Sequence, residues 1–427
     1  MGKLILYSWP RGERKSADFK AAFNGETADV LYNDAGDFAV CSFDGNLTVT
    51  ITVEKPIDTV KISPLSRGIA SVINSNSVSF NIDSPQNICV SIPGMKKLFI
   101  FANPLEENVP DKNDPKVKYF RGGQVYEVGE LWLNSGETLY IEGGTVLKGS
   151  LRCKDAANIT VAGRGIFDNS YFKGDKYWSR TFYMLHCQNI EINGIILINP
   201  NSWMVHLAGC ENVHINNIKE LGTCIGSDGV DIVGCKHVHL ENLFIYNNDD
   251  CVVAKATGDA QENVEDVLIE RCIFGNGPAG NAMEIGYETR CEYMRNITFR
   301  DCDVLCVHGH GSPISIHNGD RAVIHDILFD NIRIEHHYDK LFDLRVLDSR
   351  WGKDGIHGRV YNVTIRDIEV TRDACNPGYT VAVIGGIDDD HAVSDVTLED
   401  IRFNGKRITT AEEMDLYTRN AKNVVIK

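Results

Sequence analysis

From about residue 118 onward, one short pattern recurs ten times. A polar residue, usually Asn or Asp, precedes an alternating apolar strand, and a second short strand follows. The copies read NITVAG at 158, NIEING at 189, NVHINNI at 212, HVHLENLFI at 237, DVLIERCIF at 266, NITFRDCDV at 296, DILFDNIRI at 326, NVTIRDIEV at 362, DVTLEDIRF at 395 and NVVIK at 423. Successive anchors lie 23 to 36 residues apart. Self-similarity at such a period is the signature of a solenoid. The unit is all strand and turn, which excludes helical repeats, and the regular leucine spacing of leucine-rich repeats is absent. A right-handed parallel β-helix is the expected fold, each coil stacking about 4.8 Å above the last. Unequal steps imply loops of unequal length, which wall a cleft on one side.

Residues 1–115 differ. They carry short alternating runs, LTVTITV at 47–53, TVKIS at 59–63, SVSFNI at 77–82 and KLFIFAN at 97–103, separated by polar turns. These read as a small antiparallel β-sandwich. The polar, proline-bearing segment PLEENVPDKNDPK at 104–116 reads as a linker. The chain is therefore expected to be all-β, with a sandwich over 1–115 and a β-helix catalytic domain over 118–427.

The net charge of −16 argues against a nucleic-acid face or a polybasic membrane patch, and weighs mildly against a long polyanionic substrate. Thirteen cysteines are scattered without a CxxC pair. Cys224, Cys235, Cys251, Cys272 and Cys302 sit inside apolar strand patterns, as small buried hydrophobes do. A reducing compartment fits that usage better than a disulfide framework. The opening MGKLILYSWPRGERKS lacks the apolar run and cleavage site of a signal peptide, and no stretch approaches a membrane span. A cytoplasmic location is expected, or a secreted one if the numbering starts at a mature N-terminus.

Two adjacent coils hold GSDGVDI at 226–232 and NNDDCVVAK at 247–255. Asp228 precedes Asp249 by 21 positions and Asp250 by 22, about one coil. Stacking would bring three carboxylates together on one face. Crowded carboxylates cannot all ionise freely, so one retains a proton as general acid while another activates water. This is the division of labour in glycoside hydrolysis. Each motif alone is an ordinary turn sequence; at one coil spacing within a solenoid they are far more specific.

The stretches NSWMVHLAGC (201–210), GSDGVDI and NNDDCVVAK resemble, in order and spacing, motifs of glycoside hydrolase family 28, the polygalacturonase family. The likeness is best over about 118–330. It implies that Asp249 is the general acid and that Asp228 and Asp250 position and deprotonate water, giving inversion. The sandwich followed by YFRGGQVYEVGELWLNSGETLYIEGGTVLKGS (119–150) is similar to family 49, the dextranase and isopullulanase group. Two departures stand out. Asn281 falls where family 28 places the histidine of a Gly-His-Gly, and the following coil, HGHGSPISIHNGD (308–320), lacks the Arg-X-Lys pair that grips a galacturonate carboxylate. The literal HGHG at 308–311 comes one coil too late.

Aligning coils by their strands places Asp228, Asp249 or Asp250, Asn281 and Ser312 in one column, and Asp231, Glu284, Ser315 and Arg345 in the next. Asp231, Asn281, Glu284 and Arg345 are accordingly candidate sugar-binding residues, with Lys255 as a carboxylate-orienting group. An ion pair behind the site or a solvated row is the competing reading for Glu284 and Arg345, and a surface lysine for Lys255. His308, His310 and His317 share a coil, and His310 joins the binding candidates, although polar corners collect histidines. Trp351 and Trp203 are candidate stacking platforms, with a buried structural role equally open to Trp203. No metal spacing and no cofactor motif is apparent.

The expected function is hydrolysis of an α-linked poly- or oligosaccharide, a pectic galacturonide or a neutral α-glucan such as dextran. The competitors are a non-catalytic carbohydrate-binding β-helix and a calcium-dependent polysaccharide lyase. The expected partner is the saccharide alone, with no nucleic acid or membrane, and the sequence leaves oligomeric state open.

Overall fold

The computed structural model describes residues 2–174, 179–371 and 381–427. Among these residues regular structure is strand apart from three short 3-10 turns, Leu65–Arg67, Asn169–Phe172 and Glu412–Met414. No helix is long and apolar enough to cross a membrane.

Two sheets form the N-terminal sandwich. One contains Lys20–Phe23, Leu47–Thr52 and Ser77–Ile82; the other contains Asp37–Phe43, Gln86–Ser91 and Leu98–Asn103. Alternation explains their facing: Val49, Ile51, Val78 and Phe80 of the first meet Cys41, Phe43, Ile88 and Ile100 of the second in one buried core. Neighbours run antiparallel with one exception. Asp37–Phe43 and Leu98–Asn103 pair in parallel, because the chain between them crosses through the opposite sheet.

The second sheet is buried on both faces. Its outward residues Phe38, Val40, Phe99 and Phe101 pack against Val146, Ile196, Leu221, Phe244 and Ile273 of the solenoid. Phe244 lies edge-on to Phe99 and Phe101, with centroids 5.1 and 5.2 Å away. The sandwich is therefore bound to the solenoid along its flank through an apolar seam.

The solenoid runs from Val117–Phe120 to Ala421–Ile426, its strands pairing in parallel with their counterparts one coil away, except the short Lys406–Arg407, which folds back antiparallel onto Val393–Phe403. Three sheets result. The first includes Gln188–Asn193, Glu211–Asn216 and Lys236–Glu241; the second, which the sandwich covers, includes Ile196–Ile198, Lys219–Leu221 and Phe244–Asn247. The third includes Val205–Ala208, Val230–Val233, Val252–Ala256, Met283–Thr289, Ile314–Asn318 and Lys340–Val346. Inward side chains such as Ile215, Leu240, Ile269 and Phe299 stack into one continuous core.

The polar anchors of the repeat have a backbone cause. Asn158, Asn189, Asn212, His237, Asp266, Asn296, Asp326, Asn362, Asp395 and Asn423 all take positive φ, between 52 and 59°. Asn and Asp tolerate this left-handed conformation better than other residues with a Cβ. Their amides also bond from coil to coil, as Asn212 Nδ2 to Asn189 Oδ1 at 3.2 Å. The twelve described cysteines are free thiols, most of them buried in the strand ladders.

Candidate active site

Asp228, Asp249 and Asp250 meet at the corner between the second and third sheets. Asp228 lies just ahead of Val230–Val233; Asp249 and Asp250 join Phe244–Asn247 to Val252–Ala256. Parallel pairing fixes the stacking, with the Gly229 N–H donating to Asp250 O at 2.9 Å and the Val230 N–H to Cys251 O at 3.0 Å. One oxygen from each carboxylate lies within 4.8 Å of the others. Two glycines allow this closeness. A Cβ on Gly229 would stand 2.4 Å from Cys251 O, and one on Gly280, where φ is +73°, would stand 2.2 Å from Asp250 N. Asn247 ties the corner, donating from Nδ2 to Ser227 O at 2.7 Å and to Asp250 O at 2.8 Å.

Each carboxylate has a different environment. Asp228 is 3% exposed and accepts from Lys255 Nζ at 2.6 Å. Asp250 Oδ1 accepts from the Asn281 N–H at 2.7 Å and from Asn281 Nδ2 at 3.0 Å. Burial first, then Asp228 and Glu284, push the Asp250 carboxyl well above the usual carboxylate range. Asp249 accepts from the Gly226 N–H at 2.8 Å. Burial and then Asp228 raise it to about 6.

Lys255 is buried, not a surface lysine. Its Nζ lies 3.0 Å from Asp231 Oδ1 and 4.2 Å from the centroid of the Trp203 ring. Burial lowers the affinity of this amine for its proton, but Asp228, Asp231, Glu288 and Asp250 outweigh that and hold it ionised. Burial pushes Asp231 well up despite this partner. The three aspartates have the spacing of a divalent-cation site. Lys255 already supplies a positive charge there, against Asp228.

The first aligned column has a bonded counterpart in the structure. Asn281 links Asp250 to the next coil, its Oδ1 accepting from the Ser312 N–H and from Ser315 Oγ, both at 2.9 Å. In the second column, register joins His206, Asp231, Val253, Glu284, Ser315 and Asp343. Arg345 does not belong there: it pairs with His317, two residues further along the strand. A slip of two preserves the side of the sheet, so alternation could not reveal it.

Arg345 forks onto Asp343, with Nε at 2.5 Å and NH2 at 2.6 Å from the two oxygens. His317, buried, lies between Glu284 at 3.0 Å and Asp343 at 3.2 Å. Burial opposes its protonation; Glu284 and Asp343 reverse this and raise it to about 9. The Tyr287 ring stacks on it with a centroid distance of 4.3 Å. Glu284 and Arg345 thus sit in a charge relay with His317 and Asp343, the ion-pair alternative weighed for them from sequence.

The three histidines of 308–317 do not form one cluster. His308 bonds His336 at 2.8 Å, and His317 belongs to the relay. His310 is exposed on the turn, its carbonyl accepting from Lys340 Nζ at 2.6 Å. Trp351 is exposed, with the Arg350 guanidinium 4.6 Å from its ring centroid. Trp203 is half-buried between Lys255 and Arg180.

Sequence reasoning gave no role to His206, Asp343, Tyr287 or Asn247. His206 is wholly buried, against Trp203 and Tyr183, and burial, then Arg180 and Lys255, hold it well below its usual pKa. Its signal was the alternation of NSWMVHLAGC, which puts it on the same side as Asp231 one coil later.

The family model of glycosyl hydrolases family 28 matches residues 142–342. An exopolygalacturonase of Arabidopsis thaliana is 25% identical over 215 residues, covering 46% of this chain and 48% of that protein. The chain thus matches about half the length of this curated relative. Among solved structures, an exopolygalacturonase from Thermotoga maritima superposes with a TM-score of 0.56 at 18% identity, over 73% of this chain and 83% of the other. Dex49A from Penicillium minioluteum gives 0.64 at 11% identity, over 99% and 96%. That second likeness spans sandwich and solenoid together, and at these identities both likenesses concern fold. Sequence match, coil architecture and the aspartate corner agree: over residues 142–342 the chain is similar to glycosyl hydrolases family 28.

Proposed function

We propose that this chain is a glycoside hydrolase acting on α-linked pectic oligosaccharide by a single displacement with water. The observation that carries the reading is the corner itself: three carboxylates with oxygens within 4.8 Å, one of them 2.6 Å from a buried ammonium. Lys255 places its ammonium 2.6 Å from Asp228. Asp249 retains its proton toward neutrality, as a donor to the leaving oxygen must. Asp228 and Asp250 hold the attacking water; Asp228, beside Lys255, accepts its proton, because burial keeps Asp250 protonated.

Asp228 and Asp250 are 3% and 7% exposed, and each has one oxygen tied to a neighbour, Asp228 Oδ2 to Lys255 and Asp250 Oδ1 to Asn281, so the buried second oxygen of each suits a small water better than an anomeric carbon. That favours water as nucleophile, and inversion. The oxygens are nonetheless closer than the about 6.5–9.5 Å of most inverting pairs. Proton NMR of the first-formed reducing end, during cleavage of oligogalacturonide, tests the step. An inverted anomer is expected; a retained anomer overturns single displacement, and no cleavage overturns the pectic assignment.

One observation favours a second reading, a neutral α-linked sugar. Arg345 and His317 are each spent on carboxylates, so no cation in that relay is left over for a uronate. Reducing-sugar release from dextran and pullulan oligosaccharides, run beside oligogalacturonide, decides between them.

A further inference from the structure

A second groove lies away from the aspartates. It encloses about 850 Å³ between the sandwich and the corner that joins the first sheet to the second. The aspartate corner stands at the other edge of the second sheet, so sandwich and sheet separate the two. Asn87, Glu106, Arg164, Glu191, Asn217 and Arg271 are among the residues lining it. Its volume falls in the about 300–1,000 Å³ range of small-ligand sites.

Arg164 distinguishes this groove from a solvent-filled crevice. It is 5% exposed, and its guanidinium donates only to the carbonyls of Gly163 at 3.1 Å and Pro104 at 3.3 Å. Its Nε has no partner, and neither has Oε1 of Gln86 on the sandwich wall. The other two groove arginines meet carboxylates: Arg67 lies 3.7 Å from Asp303, and Arg271 lies 2.7 Å from Glu270. Among the described residues no carboxylate pairs with Arg164. Behind the wall, Lys219 is wholly buried and bonds Asn103 and Asn217, again without an acid. Glu106 is the acid whose charge acts on Arg164; burial raises its pKa, and it accepts from Tyr140 OH at 3.1 Å. A buried guanidinium without a counter-anion is costly, and the planar fork suits a carboxylate.

We propose that this groove is a second, non-catalytic site for a uronic-acid-containing oligosaccharide, with a ring carboxylate on Arg164 and hydroxyls on the surrounding amides. This rests on the pectic reading for the class of sugar. The acids of the rim, Asp83 and Glu107, limit it to a short ligand whose charge is directed inward.

Calorimetric titration of the full-length D249N variant with trigalacturonate tests the site. Two binding sites per chain are expected, falling to one in D249N/R164Q. Arg164 also joins solenoid to linker, so a second variant is needed. N108W places a bulky ring in the groove from an exposed position, and D249N/N108W should also bind one ligand. N108W alone should turn over substrate at the parent rate. Methyl-esterified trigalacturonate should fill only the catalytic cleft; filling both sites equally would overturn the role of Arg164. One site in D249N, with a parent that cleaves galacturonide, overturns the groove and leaves the pectic reading standing. Two sites with an inactive parent support the groove and overturn that reading.

Discussion

Burial and charge set the chemistry of individual residues. If Asp249 donates the proton, D249N and D250N should each lower kcat by about 10²–10⁴-fold with little change in KM, measured on oligogalacturonide. With Asp249 raised to about 6, kcat should fall as pH rises through that value. The same shift has a stability consequence. The native carboxyl binds its proton more tightly than the unfolded one, so its contribution weakens between about pH 4 and 6 as pH rises. D249N should therefore gain thermal stability relative to the parent across that window. His317 is raised as well, to about 9, and its stabilising contribution is complete below about 6.5 and lost as pH rises through 9. The difference in Tm between parent and H317Q should shrink over that interval; a constant difference would mean the imidazole is not charged between Glu284 and Asp343.

At the scale of the coil, the left-handed corners determine where each turn begins. Asn212, at φ 57°, should tolerate glycine, whereas N212V should cost about 1–2 kcal/mol by denaturant unfolding. That preference made the repeat readable, since an Asn or Asp every 23 to 36 residues marks a backbone requirement that few residues meet. Spacing also placed Asp228 beside Asp249 and Asp250, because the intervening coil is short and carries no insertion. Arg345 was misplaced because the loops before it vary in length, and a slip of two residues leaves the alternation intact. Lys255 was underestimated for a related reason: its burial comes from Trp203 and Asp231 on neighbouring coils, not from its own segment.

For the whole molecule, the sandwich and solenoid share the seam of Phe99, Phe101 and Phe244. F101A should cost about 3–5 kcal/mol, and calorimetry should show one shifted transition. A separate early transition for the sandwich would mean that the seam does not couple the two. The seam went unread in the sequence because both faces of Leu98–Asn103 are apolar, and a short apolar run does not say which neighbour covers each face.

The sequence alone determined the repeating coil, the sandwich ahead of it and the three aspartates one turn apart. These follow from local rules: alternation, left-handed corners and a fixed rise per coil. Tertiary structure decided what surrounds the acids: Lys255 against Asp228, Asn281 against Asp250, and Arg345 drawn onto Asp343. It also decided how the sandwich covers the second sheet. Apart from Arg345 and Asp343, neighbours on one strand, those contacts join residues tens to hundreds of positions apart, and their energies depend on burial, which no single segment of chain encodes.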